Sequence, residues 1–164
     1  MIIDMIAIFP GRFQPFHNGH LLVVQGMTKL TDQVVIVICD GDSRSAENPF
    51  TVAERQEMIA ETLMINDLMT PTIVTVNDCE NDKEWLDKVL EASGNPTAPT
   101  IWTGDEKVGM IAGAAGVAVK VIKPVPGISG ATIRSLLAVK DSSWEKFVPT
   151  GAKEVIRGLI DSKI

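Results

Sequence analysis

Five short apolar runs recur along the chain, and longer segments with helical periodicity separate them. The runs cover residues 2–9, 33–39, 72–76, 100–103 and 117–122, and the helical patterns span about 19–31, 52–65, 82–93 and 105–115. Parallel strands need crossover connections of about a dozen residues, which such helices supply. The alternation therefore predicts an α/β fold, with a Rossmann-like, doubly wound parallel sheet of about five strands. Ligands of such a sheet bind at the carboxyl ends of the strands, where the strand order reverses.

The segment after the fifth predicted strand is helical. The run KPVPG breaks the strand pattern, Ser129 opens another helix, and two short helices are expected near 143–147 and 150–162. Neither an internal repeat nor a linker interrupts the sequence, so we expect a single domain over residues 1–164. The polar stretch at 40–49 is expected to be a mobile loop.

Composition narrows the class of protein. Of 164 residues, 45% are hydrophobic and 22% charged, as in globular domains. Because no apolar stretch approaches the ~20 residues that span a bilayer and the N-terminus does not resemble a signal peptide, we expect a cytoplasmic protein without a membrane partner. Two cysteines make no disulfide framework. A net charge of −6 argues against nucleic acid as a partner and favours a small nucleotide held by a few cations.

Both histidines lie in the loop that joins the first predicted strand to the first helix. Residues 11–20 read GRFQPFHNGH, and His17 and His20 are the only histidines of the chain. Backbone N–H groups at a helix start face a bound phosphate, and imidazoles add donors for the charge that develops at phosphorus. The loop therefore indicates phosphoryl or nucleotidyl transfer. Two alternatives stay open: a structural, hydrogen-bonded histidine, and a transition-metal site for which no third histidine exists.

A second helix start carries a related signal. In GISGATIR, residues 127–134, Gly127 and Gly130 allow close backbone approach, Ser129 offers a hydroxyl, and Arg134 follows inside the helix. This pattern is typical of a phosphate-binding helix start, although ordinary capping by Ser129 explains it as well. Two such helix N-termini would grip one polyphosphate.

Together these motifs resemble the nucleotidyltransferase superfamily, with its His-x-x-His loop and its Ile-Ser helix start that leads to Ile-Arg. The GRFQP form of the first motif, NPFTVAER at 48–55 and WEKFVP at 144–149 are similar to segments of the archaeal-type nicotinamide-nucleotide adenylyltransferases. The resemblance covers nearly the whole chain. It implies that ATP, with Mg²⁺ on its phosphates, reacts with nicotinamide mononucleotide or its nicotinic acid analogue to give NAD and pyrophosphate without a covalent intermediate. It also implies a homo-oligomer.

The resemblance assigns roles on the ATP side. His17 and His20 would contact the phosphates, with His20 stabilising charge at the α-phosphate and the bridging oxygen. Arg134 would hold the β and γ phosphates. The other residues expected to line the ATP site are Gly11, Arg12, Phe13, Gly19, Gly104, Asp105, Ser129, Gly130 and Thr132. For Asp105 a plain helix cap is the competing interpretation.

Less of the pattern defines the acceptor. Trp85 falls where the family stacks a tryptophan on the pyridinium ring, a cation over an indole face, although a core position on an amphipathic helix explains it equally well. Arg44, Asp78 and Asp82 are candidates for the nucleotide phosphate, ribose and amide. The family has asparagine at the position of Asp82 and a basic residue nearer the Asn-Pro-Phe, in place of which Arg44 would serve. The phosphate helix also reads Ser-Gly-Ala-Thr rather than Ser-Gly-Thr-Glu.

Other functions remain open at this point. Within the superfamily, pantetheine-phosphate adenylyltransferases use another acceptor and cytidylyltransferases use another nucleotide base. Outside the superfamily, a non-catalytic nucleotide sensor would keep Arg134 and the glycines. The RFQP lead-in and Trp85 favour the nicotinamide nucleotide. The presence of both imidazoles favours an enzyme.

Overall fold

The computed structural model describes residues 5–39, 45–77, 79 and 81–162. The chain divides into two compact units. The sheet unit consists of residues 1–11, 24–41 and 70–124, and the helical unit consists of residues 12–23, 42–69 and 125–164. A single domain over 1–164 stays a prediction.

The sheet unit is built on five parallel strands in the order β3-β2-β1-β4-β5. The strands are β1 (Ile6–Gly11), β2 (Gln33–Ile38), β3 (Thr72–Thr75), β4 (Thr100–Thr103) and β5 (Ala118–Val121). The crossover helices of this unit are α3 (Asp82–Ala92), α4 (Glu106–Ala114) and the last turns of α1 (Asn18–Leu30). The strand order reverses beside β1, so β1 and β4 flank the point where doubly wound sheets bind ligands. The predicted fold class is confirmed.

Buried positions explain why the central strands read as continuous apolar runs. Ala7, Ile8, Ile36 and Val37 have no exposed surface, because a strand inside a parallel sheet is covered on both faces. The edge strand β5 is largely exposed and carries a charged residue, Lys120, between two valines. The first strand was predicted over residues 2–9, whereas β1 begins at Ile6 and continues to Gly11, since Pro10 and Gly11 still pair with β2.

The helical unit contains the start of α1, then α2 (Val52–Ile65), α5 (Gly130–Ala138), a 3₁₀ helix (Ser142–Phe147) and α6 (Thr150–Asp161). Thr51 and Glu54 form a capping box at α2. The first turn of α6 lies directly on α2, because Gly151 has no Cβ to collide with the backbone of Thr62. The Thr62 hydroxyl also accepts the Ala152 N–H at 3.1 Å. No helix among the described residues has both the length and the apolar character to cross a bilayer.

Candidate active site

Residues 13–16 of the loop between β1 and α1 are buried although the loop is irregular. Phe13 and Phe16 have at most 1% of their surface exposed, and Phe13 adopts a left-handed conformation with φ 54°. Such a conformation is strained for an aromatic residue and persists only where surrounding contacts fix it. Here the ring of Phe13 contacts Phe16 at a centroid distance of 5.8 Å and the edge of His20 at 4.9 Å. The loop is therefore rigidly shaped where it leads into α1.

The two histidines form a reciprocal cap at the start of α1. The Nδ1 atom of His17 accepts the backbone N–H of His20 at 3.3 Å, and Nδ1 of His20 accepts the backbone N–H of His17 at 3.1 Å. His17 stands just before the first helical residue, so this is the pattern of a capping box with imidazoles in place of hydroxyl and carboxylate. An Nδ1 that accepts a hydrogen bond carries no proton. Each neutral ring therefore keeps its proton on Nε2 as a donor.

Both imidazoles are neutral at physiological pH. Their rings stack at a centroid distance of 3.6 Å, and Phe16 stacks on His20 at 5.4 Å. Burial lowers the pKa of His17 to about 4. The pKa of His20 lies well below 6.5, first because of burial and then because of the repulsion that a charged His17 would exert.

Gly19 leaves room for this pair. A Cβ at position 19 would lie 2.9 Å from Cε1 of His17, closer than side chains normally approach. Packing therefore favours glycine at position 19 of the His-x-x-His loop, because the ring of His17 lies over the first turn of α1.

Arg134 reaches back from α5 to the same loop. Its Nη1 donates to the backbone carbonyl of Gln14 at 2.8 Å, and a Cβ at Gly130 would lie 2.6 Å from that Nη1. Burial, followed by the positive charge of Arg12, lowers the pKa of Arg134, while Glu47 opposes the shift. Two guanidinium groups that repel each other are stabilised by a bound polyanion. The helical unit therefore brings both cations to the loop that carries the imidazoles.

The hydroxyls at the start of α5 bind each other and the helix. Ser129 Oγ accepts the Thr132 N–H at 3.1 Å and lies 3.0 Å from the Thr132 hydroxyl. Ser129 is thus an N-cap, as the competing interpretation held. Capping does not exclude a phosphate role, because the remaining N–H groups of the first turn stay available as donors.

Gly104 and Asp105 belong to the sheet unit, where they follow β4. Asp105 caps α4, its Oδ1 accepting the N–H groups of Lys107 at 2.8 Å and Val108 at 3.4 Å. Gly104 precedes it, and a Cβ there would lie 3.2 Å from the carbonyl oxygen of Ile122. Both residues thus have structural roles at the end of β4, a strand that flanks the reversal of strand order.

Asp82 and Trp85 lie on the first turn of α3. Asp82 is exposed and 3.8 Å from Nζ of Lys107, while the helix is capped by Asn81. Trp85 is half-buried and packs against the apolar cluster of the sheet unit that includes Leu86 and Val89. This packing supports a core role for part of the indole and leaves a ligand-stacking role a prediction.

Of the remaining candidate residues, the structure describes Gly11 and not Arg44 or Asp78. Gly11 ends β1, where its carbonyl accepts the Cys39 N–H at 2.8 Å. Arg44, Asp78 and residues 40–44 of the predicted loop lie outside the described residues. Among the residues that are described, no three His, Cys, Asp or Glu side chains cluster as metal ligands.

The sequence interpretation missed two buried polar residues beside the loop. Arg55 has no exposed surface, and it donates from Nη1 to the Arg12 carbonyl at 2.9 Å and from Nε to the Thr51 carbonyl at 3.2 Å. Gln14 binds the backbone of Phe50 with its side chain. The only sequence signal for either is a polar residue at a position surrounded by apolar ones, which is too common to be specific.

Comparison with known proteins adds sequence evidence. Residues 8–136 match the model of the cytidylyltransferase-like family. A nicotinamide-nucleotide adenylyltransferase of Pyrobaculum arsenaticum is 35% identical over 93% of this chain and 88% of its own length. One from Sulfolobus acidocaldarius is 36% identical over 94% and 90%.

Solved structures agree in fold. A bifunctional NMN adenylyltransferase/ADP-ribose pyrophosphatase from Francisella tularensis, complexed with AMP and a manganese ion, aligns with a TM-score of 0.78 over 97% of this chain at 21% identity. An NadR protein in complex with NAD and AMP-PNP aligns with a TM-score of 0.67 over 90% of this chain at 19% identity. The chain spans 50% and 45% of the lengths of these two proteins. At such identities the likeness concerns the fold alone.

Proposed function

Because the chain belongs to the cytidylyltransferase-like family and, within it, to the nicotinamide-nucleotide adenylyltransferases, we propose that it transfers the AMP group of ATP to nicotinamide mononucleotide. A phosphate oxygen of the mononucleotide attacks the α-phosphorus of ATP. The bond from that phosphorus to the β-phosphate oxygen breaks, so the products are NAD and pyrophosphate. No covalent enzyme intermediate forms, and catalysis consists of positioning and charge stabilisation.

The reciprocal cap of His17 and His20 is the observation that carries this proposal. It fixes two neutral imidazoles with their protons on Nε2, at the N-terminus of a helix. A neutral N–H donor stabilises the negative charge that develops on a phosphate oxygen in the transition state, and it does not neutralise the phosphate charge in the ground state. The α-phosphate and the bridging oxygen gain that charge during transfer, which is the role we give to His20. His17 contacts the phosphates in the ground state.

The arginines of the helical unit bind the pyrophosphate leaving group. Arg134 holds the β and γ phosphates and Arg12 assists. Burial and then the positive charge of Arg12 lower the pKa of Arg134, and a bound polyanion relieves the repulsion between the two guanidinium groups. The first-turn N–H groups of α5, with Ser129, Gly130 and Thr132, bind phosphate oxygens. Gly11, Phe13 and Gly19 shape the loop that carries the imidazoles. ATP enters as its magnesium complex, in which the metal neutralises part of the triphosphate charge.

The nucleoside and acceptor contacts in this proposal come from the remaining predicted site residues. Gly104 and Asp105 bind adenosine, the Asp105 carboxylate keeping Oδ2 for a ribose or amine donor while Oδ1 caps α4. Trp85 stacks on the pyridinium ring, Asp78 and Asp82 bind ribose or amide, and Arg44 binds the acceptor phosphate. We expect the chain to assemble as a homo-oligomer, which light scattering of the purified protein tests.

A substrate panel tests the reaction. Purified protein with Mg²⁺ and either ATP or CTP is offered nicotinamide mononucleotide, nicotinic acid mononucleotide or phosphopantetheine, and both pyrophosphate and the dinucleotide product are measured. NAD formation from ATP and nicotinamide mononucleotide, abolished by EDTA, is the expected result. Turnover only with phosphopantetheine, turnover only with CTP, or ATP binding without any turnover would each overturn the proposal.

A further inference from the structure

Gln14 is a buried junction inside the helical unit. Only 3% of its surface is exposed. Its Nε2 donates to the Phe50 carbonyl at 2.9 Å, and its Oε1 accepts the Phe50 N–H at 2.9 Å, so the amide pairs with one backbone unit in both directions. The same Nε2 also donates to Oδ1 of Asn48. The side chain therefore ties the 48–50 segment to the loop.

The main chain of Gln14 makes a different contact. Its carbonyl oxygen accepts a hydrogen bond from Nη1 of Arg134 at 2.8 Å, and within the described part of the chain this is the only hydrogen bond of that guanidinium. The carbonyl and the side chain belong to one residue, so an amide that is bound at both of its polar ends restricts where the carbonyl can lie. An arginine side chain has several rotatable bonds and loses that freedom only where its head group is held.

From this geometry we infer that Gln14 is a positioning residue for Arg134, an inference that rests on the proposed function. The side-chain amide, anchored on Phe50, holds the Gln14 carbonyl in place, and the carbonyl orients the guanidinium toward its phosphates. Gln14 itself touches no reacting atom. The Asn48–Phe50 segment directly precedes Thr51, the N-cap of α2, so the anchor adjoins the start of a capped helix.

The chemistry of an amide suits this position. The Phe50 backbone presents one donor and one acceptor, and an amide of this length satisfies both. An ionised glutamate would accept the N–H but place a charge against the Phe50 carbonyl. A protonated glutamate would again donate. A methionine fills the volume and binds neither.

The test combines Gln14→Met with Arg134→Ala in a double-mutant cycle, read as MgATP affinity by calorimetry and as kcat and KM. We expect Gln14→Met to weaken MgATP binding and lower kcat/KM by about ten- to a hundredfold, the effect of losing a well-placed hydrogen bond to a charged group. In the Arg134→Ala background the same substitution should have little further effect. Equal losses in both backgrounds would overturn the inference.

Thr62→Val serves as the matched control. Thr62 is also fully buried in the helical unit, and its hydroxyl binds Met58 and Ala152, away from the loop. This variant should lose thermal stability and keep the kcat/KM and MgATP affinity of the wild type. If it loses MgATP affinity as much as Gln14→Met does at equal stability loss, Gln14 has no specific role.

Gln14→Glu adds a measurement that would not change with pH if Gln14 only filled space. Its activity relative to wild type at the same pH should rise as the pH falls and the carboxyl group becomes protonated, whereas a flat ratio would contradict the inference. The calorimetric cycle does not require an acceptor nucleotide. Failure of the proposed NAD synthesis would therefore leave this test intact, and the two outcomes are distinguishable.

Discussion

His17 and His20 each accept the other's backbone N–H at Nδ1, while their rings stack at 3.6 Å. The three-residue spacing is therefore the spacing of a helix cap, from the residue before the first turn to its third position. One arrangement begins α1 and also places the proton of each neutral ring on Nε2. The structural and the catalytic interpretations of these histidines are compatible.

Substitution of His20 separates these two roles. His20→Ala should lower kcat by about two orders of magnitude or more, the effect of removing a donor to developing charge. It should also cost about 1 kcal/mol of stability, because the cap acceptor is lost. His20→Gln is the matched variant, since glutamine is a good capping-box residue at this helix position. It should recover stability and not turnover; near wild-type kcat in either variant would remove the catalytic role.

The pH dependence of stability follows from the lowered pKa values. The folded imidazoles bind fewer protons than an unfolded histidine, whose pKa is about 6.5. Their contribution to stability is thus complete above about pH 6.5 and is lost as the pH falls toward the folded pKa, which is about 4 for His17. The slope reaches about 1.4 kcal/mol per pH unit for each ring. Urea unfolding at several pH values measures it.

Nuclear magnetic resonance provides the direct check of the same prediction. The chain has only two histidines, so their ring-proton signals are assigned by single substitutions. Both rings should stay neutral at about pH 6 in the folded protein, below the titration point of a free histidine. A midpoint near 6.5 for both would show that the loop is open to solvent.

Two glycines of α1 test the packing around His17. Gly26→Ala meets no atom within 4 Å and should raise stability by about 0.5–1 kcal/mol with unchanged activity. Gly19→Ala should lack this gain and lower kcat/KM, because its Cβ displaces the His17 ring. Thermal melts and steady-state kinetics compare them. A Gly19→Ala enzyme as stable and active as Gly26→Ala would show that the ring moves without consequence.

Gly130 tests the placement of Arg134 in the same way. A Cβ there lies 2.6 Å from the flexible end of Arg134 and 3.2 Å from the backbone carbonyl oxygen of Gln14, so the guanidinium and the carbonyl that holds it should be displaced while the fold survives. We expect Gly130→Ala to raise the KM for MgATP by about tenfold, as when a charged hydrogen bond is weakened. Gly113→Ala in α4, where no atom lies within 4 Å, is the control and should leave that KM unchanged. Equal kinetics for both would contradict the geometry.

Trp85 distinguishes stacking from packing. Trp85→Ala should weaken binding of nicotinamide mononucleotide and leave ATP binding little changed. Leu90→Ala, on the same helix and against the same apolar cluster, should reduce stability alone. Isothermal titration with each nucleotide gives the comparison. Equal losses for both ligands in Trp85→Ala would assign the indole to the core.

Sequence patterns were sufficient to predict those helices and strands whose bounds depend on neighbouring residues. The strand at 100–103 and the helix at 52–65 were predicted with the observed bounds, since apolar runs and a capping box are read from neighbouring residues. β1 was misplaced at its end because pairing of Pro10 and Gly11 depends on β2, which no local pattern contains. Trp85 stayed ambiguous for a related reason: amphipathic spacing gives a face of the helix and not what covers it.

The sequence by itself determined the alternating α/β fold and the family, and it predicts that the His17 loop and the Ser129 helix bind phosphate. Periodicity and motif spacing are properties of neighbouring residues, so they survive without coordinates. The tertiary structure decided the tautomer of the two imidazoles, the room that Gly130 leaves for Arg134, and the burial of Gln14 and Arg55. These depend on contacts between residues such as Gln14 and Arg134, which are 120 positions apart. Only the folded chain brings such residues within hydrogen-bonding distance.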